Sequence, residues 1–281
     1  MAVKFIIDSA SDVLPEEAAA LGVIHIPLQV MFGTETYLDA VTLSHGAFYE
    51  KLAAARELPT TSQVPPAAFE AAYREVTAGG DEAVVITVSS VLSGTYQSAM
   101  IAAEDYEGKV FVVDSLSATI GERVLLMRGL ELAAQGMTAR EIASALDEEK
   151  TRIRVVAIVD TLEYLKKGGR VSATVALAGG LLGIKPAIEV RDGAVAMAGT
   201  ARGNAKATAL LKQRIDGYGG IRWDKPVAFT FSGAEDTLLQ KFLETYPELT
   251  EGQDRVPVCT LGCAIGTHVG PGAYGVAFFQ G

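Results

Sequence analysis

Short runs of β-branched residues alternate with longer stretches of helical period. Val3–Ile7, Ala83–Val88 and Lys109–Val113 are each a few residues of mostly Val, Ile and Phe. They are apolar at successive positions, as strands covered by helices on both faces must be. Pro65–Val76 opens on two prolines, suited to a first helical turn, and sets Ala68, Ala72 and Val76 on one stripe. Ser93–Tyr106, Thr119–Ala134 and Thr138–Glu149 read as further helices, with Thr138 and Glu141 spaced as a capping box. This rhythm predicts a parallel α/β domain over residues 1–150.

Beyond residue 150 the pattern changes. Val155–Val159 reads as a strand, Leu162–Lys167 as a short helix and Ala173–Leu182 as a helix of small residues. A hairpin follows, from Ala187–Val190 through Asp192-Gly193 to Ala194–Ala198. A helix over Asn204–Ile215, a strand over Val227–Phe231, a helix near Glu235–Tyr246 and strands over Val256–Thr260 and Tyr274–Phe279 complete the chain. Hairpins mixed with helices predict an α+β domain over residues 151–281, with strands free to cross the boundary.

Composition narrows the partners. The 281 residues carry 24 Lys+Arg against 34 Asp+Glu, a net charge of −10, which disfavours nucleic acid and broad adhesion to an anionic bilayer. Transient membrane contact stays open. Cys259 and Cys263 cannot form a disulfide framework, and their spacing is not a usual zinc pair, so neither metal nor cofactor is expected. The apolar start is too short for a signal peptide, and the run Val175–Ile184 falls short of the roughly 20 residues of a spanning helix. A cytoplasmic protein is expected.

Four segments place polar groups or glycine where a plain core would not. Thr60, Thr61, Ser62 and Gln63 precede the Pro65 helix, and serve equally as a cap or as ligand donors. Ser89–Thr95, containing Ser93 and Gly94, ends one strand and begins a helix, where α/β sheets bind ligands and helix N-termini favour anions. Gly262–Gly275 reads as a glycine-rich loop leading into the final strand and holds His268, whose imidazole can donate to a carboxylate or phosphoryl oxygen. Lys166, Lys167 and Arg170, with Arg202 and Lys206, form either a solvated face or an anion- or partner-binding patch. The G-x-S-x-G elbow, the G-x-G-x-x-G fingerprint and the P-loop are all missing.

DSASDVLP near the start, PTTSQVPP, SSVLSGTYQSA, VVDS, LEYLKKGGRVS, GIKPAIEV and GTHVGPGAYGVAF, in this order from Asp8 to Phe279, resemble the DegV family of bacterial fatty-acid-binding proteins. The resemblance implies an α/β amino-terminal and an α+β carboxy-terminal domain with one long-chain fatty acid between them. It implies a carboxylate site at Thr61 or Ser62, Ser93 with Gly94 and Thr95, and His268. It also implies that Arg170 and Arg202 lie where the catalytic subunit of fatty acid kinase docks, this chain being the acyl-carrying subunit without catalysis of its own.

The residues agree with that role. About 15 methylenes at ~0.8 kcal/mol each give on the order of 12 kcal/mol on leaving water, which only a long apolar tunnel recovers. Ala173–Ile184, Ala118–Leu126 and Val23–Phe32 are the candidate walls. The competing expectation is a small-molecule kinase related to dihydroxyacetone kinases, with Ser93 at the phosphate and His268 attacking a carbonyl.

Overall fold

A computed structural model describes residues 2–171, 183–252 and 256–281. Its first layer is a parallel sheet in the order β2-β1-β6-β7, formed by β1 (Val3–Asp8), β2 (Val23–Ile26), β6 (Glu82–Thr87) and β7 (Val110–Asp114). Between β2 and β6 the chain builds a small antiparallel sheet, β4-β3-β5, from β3 (Gln29–Phe32), β4 (Glu35–Leu38) and β5 (Thr60–Ser62). The third sheet is mixed and six-stranded, β10-β9-β8-β13-β11-β12. Its strands are β8 (Ile153–Ile158), β9 (Ile184–Arg191), β10 (Ala194–Arg202), β11 (Ala228–Phe231), β12 (Val258–Thr260) and β13 (Tyr274–Phe279). Among the described residues, no strand from before residue 150 enters it. The fold is α/β with a parallel-sheet amino-terminal part and a mixed-sheet carboxy-terminal part.

The helices are α1 (Pro15–Ala20), α2 (His45–Ala54), α3 (Pro66–Ala78), α4 (Thr95–Ala103), α5 (Ile120–Ala134), α6 (Ala139–Glu149), α7 (Glu163–Lys167), α8 (Asn204–Gly217), α9 (Thr237–Thr245) and α10 (Cys263–Val269). The expected helix over Ala173–Leu182 lies outside the described residues. Thr138 and Glu141 close the capping box at the start of α6.

Helix α5 occupies the centre. Ile120, Val124, Leu125 and Leu126 pack in one cluster with Phe5, Ile7, Val84 and Ile86 of the first sheet and with Ile153, Val155, Ala277 and Phe279 of the six-stranded one. A helix apolar on most of its circumference suits such a place. Gly129 lets it close on β1: a Cβ there would stand 2.7 Å from the Phe5 ring.

Two local expectations are corrected. Thr60–Ser62 is strand β5, in register with Gln29–Met31, and Pro65 rather than a hydroxyl residue stands at the N-cap of α3. The glycine-rich stretch is not all loop, since Cys263–Val269 forms α10. Gly266 is tolerated inside that helix because it packs tightly, a Cβ falling 2.6 Å from Phe48 and 2.8 Å from the Tyr49 hydroxyl.

Candidate functional site

In a sheet ordered 2-1-6-7, the chain departs on opposite sides of β1 and β6, so their carboxyl ends flank a crevice where α/β proteins bind ligands. Asp8, fully buried at the end of β1, holds that crevice together. Its Oδ1 accepts from the Ala10 N–H (2.9 Å) and its Oδ2 from the Val88 N–H (2.8 Å).

Ala10 and Val88 line a cavity that extends from this crevice to the six-stranded sheet. Leu28, Ala118 and Ile120 wall it on the amino-terminal side, and Val155, Ala157, Ile188, Val190 and Val195 on the other. Gly275, Ala157 and Ile188 are register neighbours across β13, β8 and β9, and all three line the cavity. The walls bound about 1020 Å³ counting the open mouth, while the centre of a water molecule can move through about 110 Å³ of it. The passage is therefore narrow, suited to a slender apolar group.

Of its polar lining, Thr61, Ser62, Ser93, Arg170 and His268 are half-buried and Gln63 is exposed, while Glu189, Thr230 and Tyr274 are buried deeper in the wall. Thr61 on β5 and His268 on α10 share a hydrogen bond, Oγ1 to Nε2, of 2.8 Å. The His268 Nδ1 is buried and finds no partner among the described residues. Burial and then the neighbouring Arg170 cation push the imidazole down to about 4, so it is neutral at pH 7. Gly168 abuts the ring, its absent Cβ falling 2.1 Å from Nδ1.

Of the sequence-predicted residues, Thr61, Ser62, Ser93, His268 and Arg170 line the cavity together. Gly94 and Thr95 stand behind it. The Thr95 hydroxyl is buried, 2.9 Å from that of Ser93, and accepts from the Val64 N–H at 3.3 Å. Gly94 leaves room for the Gln63 amide, which donates to Ser98 Oγ at 2.9 Å. Arg170 ties the Ser93 loop to the turn after α7: its Nε donates to the Leu92 carbonyl (3.1 Å) and its Nη1 to the Gly168 carbonyl (2.7 Å). Arg202, exposed at the end of β10, is not among the lining residues. Of the candidate walls, Leu28, Ala118 and Ile120 line the cavity, Leu125 and Leu126 belong to the core, and Ala173–Leu182 lies outside the described residues.

Sequence reasoning passed over Asp8 and Thr119. Thr119 lines the cavity with φ +54°, a strained angle for a β-branched residue; its N–H donates to the Ala10 carbonyl (2.7 Å) and its hydroxyl to Asp12 (2.5 Å). The run of Asp and Ser just after the first strand was the available signal.

The site can hold an anionic head group on neutral donors, hydroxyls and an imidazole, with one guanidinium adjacent and an apolar passage behind. Among the described residues no cluster of His, Cys, Asp and Glu is arranged to hold a metal ion, and no helix is long and apolar enough to cross a membrane.

Comparison with known proteins agrees with this geometry. A DegV family model, described as an uncharacterised protein family, matches residues 2–281. A DegV domain-containing protein of Deinococcus radiodurans is 36% identical over 279 residues, 99% of this chain and 98% of that one. A fatty-acid-binding DegV family protein from Thermus thermophilus superimposes with a TM-score of 0.89 at 30% identity, covering 100% of both chains. DegV of Bacillus subtilis, a fatty acid binding protein, gives 0.82 at 28% identity, again over 100% of both chains. The chain belongs to the DegV family.

Proposed function

We propose that this protein binds one long-chain fatty acid in the cavity and presents its carboxylate to a partner kinase, which forms an acyl phosphate for phospholipid synthesis. One observation carries the reading: Thr61, Ser62, Ser93 and His268 together line one narrow, largely apolar passage. The acyl chain leaves water in the passage, worth about 0.8 kcal/mol per methylene. The carboxylate is desolvated only as far as the hydroxyls and imidazole replace its water donors. Gly94 and Thr95 support the Ser93 hydroxyl rather than touch the ligand. Half-buried Arg170 is the one cation among the described lining residues, so the carboxylate is not fully neutralised and stays nucleophilic toward a phosphoryl group. The nucleotide, its metal and the catalytic groups belong to the partner, and exposed Arg202 with half-buried Arg170 face it. The fatty-acid binding of the Thermus thermophilus protein, similar over the whole chain, supports the first half of this reading. The kinase half rests on the motif resemblance.

Native mass spectrometry of the purified protein tests it. The expected result is an adduct of fatty-acid mass, lost on delipidation and restored by palmitate or oleate with a rise in melting temperature. Protein that is always empty, and indifferent to both acids, overturns the reading. Phosphorylation of dihydroxyacetone by this chain alone would favour the competing small-molecule kinase.

A further inference from the structure

The helix that carries His268 is anchored at its other end by two buried carboxylates. Asp39, in the loop between β4 and α2, accepts from the Cys263 N–H through Oδ1 (2.8 Å). Its Oδ2 accepts from the Ala264 N–H (3.1 Å) and from the Ser9 hydroxyl (3.0 Å). Asp12 accepts from the Gly262 N–H through Oδ1 (2.7 Å), while its Oδ2 takes the Thr119 hydroxyl. The N–H groups that open α10 have no partner inside the helix, and here three in succession are satisfied by carboxylates. Bonds to an ionised carboxylate are charge-assisted, and negative charge is favoured at that end of a helix, whereas burial pushes the Asp12 carboxyl up to about 8, so its bond to the Gly262 N–H is an ordinary one at neutral pH.

The fit around this anchor is close. A Cβ on Gly262 would lie 3.0 Å from Asp12 Oδ1, 3.0 Å from His45 Nε2 and 3.3 Å from Asp39 Oδ1. Helix α10 is only two turns long, roughly 10 Å, so rotation or sliding at its first residue is passed almost undiminished to His268. The anchoring loops also build the cavity wall, since Ala10 lies between Ser9 and Asp12, and Thr119 is itself a lining residue.

We propose that Asp39, assisted by Asp12, is a positioning residue for the head-group site: it sets the rotation and height of α10 so that the His268 imidazole meets Thr61. Its meaning for ligand binding rests on the fatty-acid reading above. A carboxylate is required because Asp39 accepts three bonds on two oxygens. The near-isosteric amide keeps one acceptor oxygen and turns an NH2 group toward donors.

Asp39→Asn, with 15N-labelled histidine and carboxyl-13C palmitate, tests this. The His268 ring nitrogens should shift in the ligand-free protein, the palmitate carboxyl resonance should shift in the loaded one, and palmitate should be held about tenfold more weakly. A folded variant in which all three are unchanged overturns the proposal, however far its melting temperature falls. If the variant does not fold, amide exchange in the unaltered protein decides. Cys263 and Ala264 protected as strongly as the core strands support the anchor; exchange as fast as a frayed helix end overturns it. Failure of the unaltered protein to take up palmitate sinks the fatty-acid reading alone, because the ring-nitrogen measurement needs no ligand.

Discussion

Thr61 Oγ1 and His268 Nε2 lie 2.8 Å apart although 207 positions separate them in the chain. One stands on a three-residue strand of the small sheet and the other on the last turn of α10, so the bond joins the amino- and carboxy-terminal parts of the chain in the wall of the cavity. Thr61→Val keeps the shape and removes the hydroxyl. Palmitate affinity should fall roughly tenfold, the effect of one lost hydrogen bond of about 1–1.5 kcal/mol, while the melting temperature of the empty protein changes little. A fluorescent fatty-acid displacement titration measures it.

The depressed imidazole makes stability depend on pH. The unfolded chain binds a proton at His268 below pH ~6.5, whereas the folded protein resists it until about pH 4. Between these values the unfolded state holds more protons, so stability declines as pH drops and is level above the window. Across the whole window the decline attributable to this residue is about 3 kcal/mol. Denaturant melts of ligand-free protein at pH 4 to 7 should show a steeper loss than the same series on His268→Gln. A bound carboxylate beside the ring raises its pKa and narrows the window.

Gly168 and Gly94 offer a contrast of two alanine substitutions. At Gly168 the new methyl would meet His268 Nδ1 at 2.1 Å, and the ring is held on its other side by Thr61. Gly168→Ala should displace the imidazole and abolish fatty-acid retention in a folded protein. At Gly94 the obstacle is the Gln63 carboxamide, also at 2.1 Å, but this is the free end of a flexible side chain. Gly94→Ala should cost ligand binding less than threefold, because the Gln63 side chain turns aside. Isothermal titration on the pair checks the ranking.

The floor of the cavity gives a prediction about chain length. Ala157 sits between Gly275 and Ile188 in the register of the six-stranded sheet and lines the passage. Ala157→Leu adds three carbons to that point. Co-purified fatty acids, weighed by mass spectrometry, should become shorter by a few methylenes, or straight chains should give way to differently bent ones. An unchanged lipid profile would mean that the acyl chain does not pass over this strand.

The two arginines are not equivalent tests of kinase coupling. Arg202→Ala alters an exposed side chain away from the cavity, so it should spare lipid content while lowering acyl-phosphate formation with the partner kinase. Arg170→Ala also releases the Leu92 and Gly168 carbonyls and should weaken both. Equal lipid content in the two variants would deny Arg170 its structural share.

Strands β1, β6 and β7 of the parallel sheet and most helices were legible, because short runs apolar at successive positions mark strands covered on both faces and a 3.6-residue spacing marks helices. The β3–β5 sheet was not: Val23–Phe32 reads as one apolar run, and its division into β2 and β3 depends on pairing partners far along the chain. Helix α10 was hidden by its glycines, whose tolerance comes from the close approach of Phe48 and Tyr49. Thr61, Ser62, Ser93 and His268, which the fold brings to one cavity, drew notice in the sequence because hydroxyls and a histidine stood where a plain core has none. Asp8, Asp12 and Asp39 were not, because a carboxylate that grips backbone N–H groups looks in sequence like any surface acid.

Helix α5 touches both large sheets, so one hydrophobic cluster is shared between them. A chain severed after Glu149 would leave a helix with half its apolar circumference bare, and neither fragment would find a substitute lining in water. The two portions therefore depend on each other for this part of their core. Under the fatty-acid reading, a change of ligand preference is then a matter of single side chains lining the slot, not of exchanging one portion for another.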